Sequence, residues 1–419
     1  MDNKPRCPWR DNSHERPQPY NLIKYTWADK HLTLFPNIKL TSVYMHDLKS
    51  AEGVAAYLKG THFAASDVQR LSGGVSAFTY RIMLQTPLDT GEKTFVIKHF
   101  EGYLACHEDM KWGIERADHE YKALAAIAAS GLFNSDSIVQ LPRPLKYDQE
   151  THTIFMTDLG SQVPLTRVLE KGFANDQSSG SNQSSNSELC ELAAKIGQAL
   201  GDFMGRFHKW SALPHQAELR ACFSQNSGVV HKSLFFRHFC LKHSADRFKI
   251  RENWIDEVLE KEQQGLEASA DAGAMVMGDC SLHNIMVSPP SENNPMRIYL
   301  IDLETARAGH PEFDVGTLTA MATSFVHIYH PNVDHPFVPA FHRSYCDHRA
   351  LNPKRLGVTT GIDLLGLGTF MPWTRGKDEA HLQGIATAGF ELLRTSFKGD
   401  ENSIKANRVV SHLFSSASG

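Results

Sequence analysis

The sequence predicts an α+β fold in which a strand-rich N-terminal part gives way to a mainly helical remainder. Three observations carry this. Between residues 65 and 160, short apolar runs such as "FTYRIML", "TFVIKHF" and "TIFMTDLG" are punctuated by Gly, Pro and polar turns, the pattern of strands. From Glu188 onward, segments such as "ELAAKIGQALGDFMGRFHKW" space their apolar residues as helices do. One stretch, 275–303, interrupts that helical pattern with strand-like runs that end in acids.

The elements follow in order. Residues 1–47 are expected to be an N-terminal extension, disordered in part, since "MDNKPRCPWRDNSHERPQPY" is polar and Pro-bearing. Residues 47–60 have helical spacing, with Val54, Ala55, Tyr57 and Leu58 on one side. "VQRLSGG" and "FTYRIML" read as two strands around a glycine turn, and "TFVIKHF" (94–100) as a third. Residues 111–129 form an amphipathic helical pattern. The polar run 175–187, "NDQSSGSNQSSNS", cannot bury enough apolar surface to offset its ordering entropy, so it is expected to be a disordered insertion.

Composition narrows the function classes. The chain has 419 residues, is 41% hydrophobic and 21% charged, and carries a formal charge of -4. No basic field points to nucleic acid. No apolar run approaches the ~18 residues of a membrane span. Seven cysteines occur singly without a CxxC pair, which suits free thiols in a reducing compartment. A cytoplasmic protein with neither a membrane nor a nucleic-acid partner is the expectation; the sequence does not define an oligomeric state.

The residues that point to chemistry lie in "MGDCSLHNIMV" and "IYLIDLE". Asp279 precedes Asn284 by five positions, and Asp302 closes the next apolar run. A hairpin between those runs brings the three to one end. One amide and one carboxylate are hard oxygen ligands that suit Mg²⁺ with substrate phosphates, and a further carboxylate can accept a hydroxyl proton. Upstream, the turn Gly73, Gly74, Val75 and Ser76 offers backbone N–H groups to phosphate oxygens. Lys98 in the following strand can reach a nucleotide phosphate, and Glu120 on the next helix can hold it. That order matches phosphoryl-transfer sites.

Through these stretches, together with "EDMKWGIERADHEYKAL" and "AGHPEFDVG", the chain resembles the aminoglycoside phosphotransferase, choline kinase and methylthioribose kinase superfamily. The likeness is closest to fungal methylthioribose kinase-like members, a group that includes hydroxytryptamine kinases. The resemblance implies a bilobal protein-kinase-like fold with an N-lobe over 48–156 and a C-lobe over 157–419. It implies ATP and Mg²⁺ as cofactors and a small-molecule alcohol as phosphoryl acceptor. It assigns Asp279 as catalytic base, Asn284 and Asp302 as metal ligands, and Glu304 as a second metal contact. Lys98 and Glu120 become the phosphate-anchoring pair, Met156, Thr157, Asp158 and Leu159 the adenine-binding hinge, and Asp314 a structural brace. Three departures stand out. Met277 occupies a position where relatives often carry His. Ala77 stands where Asn is frequent. Arg394 is alone where methylthioribose kinases pair two arginines. Methylthioribose, choline or aminoglycoside acceptors remain alternatives, as does a pseudokinase that keeps the fold as a binding module. The histidines of 327–348 are expected to pack, not to bind zinc; Cys280 is expected to be a loop or packing residue. Phe370 and Trp373 are candidates for contact with the acceptor.

Overall fold

In the computed structural model the described residues are 46–71, 74–173, 186–224, 226–267, 273–291, 294–331 and 333–414. The expected disorder of 1–47 and 175–187 thus falls almost wholly outside them, except that Asn186 and Ser187 already belong to a helix. The chain packs as two units that part between Lys111 and Trp112. The lobe boundary expected at 156/157 follows the order of motifs and is a separate division.

The first unit opens on α1 (Ala51–Leu58), capped by the Ser50 side chain, which accepts from Gly53 N at 3.1 Å. Val54 and Leu58 are its buried face. An antiparallel meander follows: β1 (Ala65–Arg70), β2 (Phe78–Leu84) and β3 (Thr94–His99). In β2 the buried residues alternate through Phe78, Tyr80 and Ile82, as a half-buried strand requires. Phe63 packs on Phe95 with ring centroids 5.1 Å apart. A hairpin of β4 (Tyr103–Leu104) and β5 (His107–Lys111) closes the unit. The sequence reading missed this hairpin because β5 is exposed at all but one position and shows no alternation.

The second unit begins with α2 (Arg116–Ala129). The helix expected from 111 starts five residues later. Lys111 is paired with Tyr103 in β5, and the Arg116 guanidinium reaches back to the carbonyls of Trp112 (3.2 Å) and Gly113 (2.7 Å), fixing the approach segment as non-helical chain. After β6 (Val139–Gln140), β7 (Pro144–Asp148) and β8 (Thr153–Thr157) form an antiparallel pair. Next come β9 (Val163–Pro164) and α3 (Leu165–Lys171).

Helices then dominate: α4 (Asn186–Ser211), α5 (Ala217–Phe223), α6 (Ser227–Arg247) and α7 (Trp254–Glu267). The interrupting strands are β10 (Ala274–Val276), β11 (Ile285–Ser288), β12 (Arg297–Leu300) and β13 (Arg307–Gly309). α8 (Glu312–Tyr329), α9 (Phe337–Cys346), α10 (Pro353–Leu365), α11 (Glu379–Lys398) and α12 (Glu401–Ala406) complete the chain. Strand-rich first and helical afterwards, it is the α+β, kinase-like class that the sequence predicts. Among the described residues no helix is long and apolar enough to cross a membrane.

Two features hold the helical part. On α4, Gly197, Gly201 and Gly205 recur every fourth residue and form a groove for α9. A Cβ at Gly201 would stand 2.2 Å from the Phe341 carbonyl oxygen. Deeper, Arg237 of α6 donates from Nε to Asp363 (2.6 Å) and from Nη1 to Glu262 (2.9 Å), while Thr317 donates to Asp363 (2.6 Å) and His238 bonds Glu262 (3.0 Å). The network ties α6, α7, α8 and α10 together. Its two carboxylates respond in opposite directions. Burial pushes Asp363 up against the pull of Arg237. Burial acts on Glu262 in the same sense, but there the charge of Arg237 and the His238 bond prevail and hold it at about 2. Asp363 is wholly enclosed, whereas the Glu262 side chain keeps 8% exposure, so desolvation weighs more on Asp363. Arg237 Nε and the Thr317 hydroxyl both donate to Asp363, and these bonds oppose the effect of its burial.

Candidate active site

The loop that carries Asp279 is fixed from behind. It leaves β10 through Met277 and Gly278. Gly278 has φ of +85°, and a Cβ there would meet the Thr305 carbonyl oxygen at 2.2 Å; only glycine meets both demands. Asp314, fully buried at the start of α8, accepts from Met277 N (2.7 Å) and Gly278 N (3.0 Å). Its second oxygen also bonds His208 Nε2 of α4 (3.1 Å), and His208 Nδ1 bonds the Tyr345 hydroxyl (2.9 Å). The Thr305 hydroxyl donates to Met277 O (3.0 Å). Met277 itself is buried, so the loop is organised through its backbone.

A 3₁₀ turn over Leu282–Asn284 leads into β11. The Asn284 amide donates to Asp279 Oδ2 (3.0 Å) and to the Asp279 carbonyl (3.1 Å). β11 and β12 pair antiparallel, Ile285 opposite Leu300, and Ile301 N donates to Asn284 O (3.0 Å). This is the hairpin the sequence predicts, and it delivers Asn284 and Asp302 to one end. β10 pairs instead with β13, Val276 opposite Arg307. Asp302 adopts φ of +66°, a left-handed conformation that costs a non-glycine residue energy and recurs at functional sites.

The Asp279 carboxyl is raised to about 6, first by the protein crowded around it and then by the like charge of Asp302, against bonds from Asn284 and Ser281 that lower it. Its side chain is nonetheless open to solvent. Crowding without sealing describes a carboxylate that an incoming molecule can reach.

Carboxylate oxygens of Glu120, Asp302 and Glu304 lie within 4.8 Å of one another. Glu304 also accepts from Arg116 Nε (3.2 Å), and the Asn226 amide donates to the Glu304 carbonyl (3.1 Å). An all-oxygen donor set suits a hard divalent cation such as Mg²⁺. Asp302 stands in this cluster with Glu120 and Glu304, while the Asn284 amide is turned to Asp279; the expectation that Asn284 joins Asp302 as a metal ligand stays an expectation. Glu120, which the sequence reading paired with Lys98, is thus also a neighbour of the acidic cluster.

In the first unit, Lys98 is buried in β3, with Nζ 5.1 Å from the centre of the Phe100 ring. Gly73 lies outside the described residues. Val75 and Ser76 offer carbonyls to Cys106 N (3.1 Å) and Ala105 N (3.3 Å), which tie the glycine turn to the β4–β5 hairpin. The Lys98–Glu120 pairing joins one unit to the other and stays an expectation. Of the expected hinge, Met156 is buried. Thr157 and Arg143 exchange two hydrogen bonds of 2.9 Å, and the Asp158 side chain accepts from Gly160 N (3.0 Å). A cavity of about 810 Å³ beside Thr157, Asp158 and Leu159 is lined also by Arg143, Arg297 and Tyr299. It contains none of Asp279, Asn284 or Asp302, so volume alone does not mark the chemistry.

Two aromatic pairs involve the residues considered for the acceptor. His283 stacks on Trp373 (centroids 5.2 Å, planes 15° apart), and Phe370 meets His243 edge-on at 5.0 Å. The histidines of 327–348 are dispersed into packing: His342 bonds Thr319 (2.8 Å), His348 bonds Asp202 (2.9 Å), and His330 stacks on His335. Cys280 is buried, and burial pushes its thiol well up. Sequence reasoning missed Gly278, His208, Arg116, Asn226 and His283. A glycine just before a strand-end acid was the one local signal available; the others act across the fold.

A model of the phosphotransferase enzyme family matches residues 67–353. A 4-hydroxytryptamine kinase from Psilocybe cyanescens is 26% identical over 342 residues, spanning 80% of this chain and 89% of that protein. Its namesake from Psilocybe cubensis is 25% identical over 370 residues, spanning 83% and 94%. Among solved structures, a choline/ethanolamine kinase family protein from Mesorhizobium loti has a TM-score of 0.41 at 14% identity, covering 86% of this chain and 98% of that one. With the family model matching more than half of this chain, and an acid, an amide and a second acid carried on one turn and hairpin, the chain belongs to the phosphotransferase enzyme family.

Proposed function

We propose that this ATP-dependent small-molecule kinase phosphorylates a small, partly apolar alcohol, foremost a hydroxylated aromatic amine, with Mg²⁺ as the metal. The observation that carries the reading is Asp279, whose loop is fixed by Asp314 and whose carboxylate is oriented by Asn284 at 3.0 Å. In this reading Asp279 orients the acceptor hydroxyl and takes its proton as the oxygen attacks the γ-phosphorus and ADP departs. Lys98 neutralises phosphate charge. The turn Gly73 to Ser76 would offer backbone N–H groups to the phosphates, and Met156–Leu159 would receive the adenine. Mg²⁺, held by Asp302 and Asn284 with Glu304 near, would supply charge neutralisation at the phosphate oxygens. The protein's own contribution is positioning.

Support for the acceptor class is twofold. Two similar proteins are named for phosphorylating 4-hydroxytryptamine. The helical part sets exposed His283 on the buried Trp373 ring and groups Phe239 and Phe370 with His243, aromatic faces that suit a flat ring better than a polycationic antibiotic. The test is a panel of acceptors with ATP and Mg²⁺: hydroxytryptamines, choline, methylthioribose, homoserine and kanamycin. Phosphorylation of hydroxytryptamines above the rest is expected. Efficient turnover of kanamycin alone would overturn the acceptor class.

A further inference from the structure

We propose that His283, stacked on Trp373, is the platform on which a flat, conjugated alcohol such as a phenol or hydroxyindole rests when its hydroxyl faces Asp279. The inference rests on the reading of Asp279 as the proton acceptor and adds the residue that selects the acceptor.

The placement comes from the loop. His283 is the middle residue of the 3₁₀ turn Leu282–Asn284. On one side Leu282 is buried, and on the other Asn284 is bonded to Asp279. With both neighbours fixed, the His283 side chain has one way out, toward solvent, and it is exposed. Its ring does not wander there. It lies on Trp373 at 5.2 Å with the planes 15° apart. Trp373 is itself immobilised: its indole N–H donates to Ser324 Oγ (3.0 Å), Phe325 packs against it edge-on at 5.5 Å, and the Ser324 hydroxyl donates to Gly368 O (2.6 Å).

A comparison with other histidines of the chain sharpens the point. His208, His342 and His348 each bond a neighbouring side chain. His283 makes no hydrogen bond to any described residue, although it sits four positions from Asp279. One face of its imidazole lies on Trp373, and because the residue as a whole is exposed, the opposite face is the one left open. A conjugated ring can stack offset on that open face, and a ring nitrogen can bond a polar substituent. Because the stack already exists, little side-chain entropy is lost on binding. An aliphatic alcohol gains far less from a flat surface.

The test uses the full-length protein and its His283→Ala and His283→Phe variants. Their KM and kcat with ATP and Mg²⁺ are measured for a hydroxyindole and for homoserine, and hydroxyindole binding is followed by calorimetry without turnover. In His283→Ala the preference in kcat/KM for hydroxyindole over homoserine should fall about tenfold, carried by KM, and hydroxyindole Kd should rise about tenfold. His283→Phe, which keeps a stacking ring, should recover most of that loss. Equal losses for both acceptors would show a merely structural role and overturn the proposal, as would no change, or a loss in His283→Phe as large as in His283→Ala. A native protein that binds hydroxyindole in a His283-dependent way yet transfers no phosphoryl group sinks the role of Asp279 and keeps the platform. Transfer that ignores the His283 variants does the reverse.

Discussion

Replacing Glu262 by Gln keeps the shape of the side chain and removes its charge from the network around Arg237. In the folded chain that carboxyl is held at about 2 from an ordinary 4.5: burial pushes it up, and the Arg237 charge and His238 bond more than offset this. The side chain is only 8% exposed, so solvent screens the pair little. At roughly 1.4 kcal/mol per tenfold change, the displacement corresponds to about 3 kcal/mol of stability. That figure agrees with the ~3–5 kcal/mol lost when one partner of a buried pair is removed. The assay is urea unfolding, followed by tryptophan fluorescence, of both proteins from pH 7 downward. Because the folded value lies below the unfolded one, the contribution is complete above about pH 4.5 and is lost as pH falls toward 2. The native protein should therefore exceed the variant by about 3 kcal/mol at pH 7, and the gap should close through that window. A gap below ~1 kcal/mol at pH 7, the range of exposed pairs, or one that pH does not alter, would refute the reasoning.

Asp279→Asn should lower turnover by at least ~10²-fold while nucleotide binding is retained, since a general base contributes about that much; near-normal turnover would remove Asp279 from the role. In the same variant the melting temperature should hold or rise, because a carboxyl raised to about 6 is costly to keep charged in the fold; a clear drop would contradict this. Asp302→Ala should abolish Mg²⁺-dependent activity, and unchanged Mg²⁺ titrations of nucleotide binding would show that the metal lies elsewhere. Gly201→Ala, whose Cβ would stand 2.2 Å from Phe341 O, should cost about 1–3 kcal/mol by forcing α4 and α9 apart; a melting temperature equal to the native one would show that the groove can relax.

The local order of the site could be read in one dimension, because each piece is short. Asp279 and Asn284 belong to one turn, and Asp302 ends the strand that pairs with the one after that turn. A period-2 pattern with a polar end is enough to find them. Residues acting across long sequence separations left no such trace. His208 reaches Asp314 from a helix whose amphipathic pattern explains packing alone, and Arg116 reaches Glu304 across 188 positions. The β4–β5 hairpin stayed hidden because its residues are mostly exposed, so no burial pattern was imposed on them. The late start of α2 was hidden for a related reason: its apolar spacing continues through Trp112 and Ile114, while a side chain to backbone bond, not periodicity, sets the boundary.

The same contrast resolves the one residue that departs most visibly from relatives. A His two positions before the acid would hold the loop by its side chain. Here the loop is held by the amides of Met277 and Gly278, both donated to Asp314. An amide is available whatever side chain stands at 277, so that position is free to carry a buried methionine beside β10. The demand passes to Asp314, which is fully enclosed and must have its oxygens satisfied. The two amides and His208 Nε2 do so. Tyr345 bonds the opposite nitrogen of that imidazole, and α4 and α9, which carry His208 and Tyr345, are brought into contact by the glycine groove. The position of Asp279 therefore depends on the packing of helices that lie far from it in sequence on either side, and on Gly278, the only residue type that fits beneath Thr305.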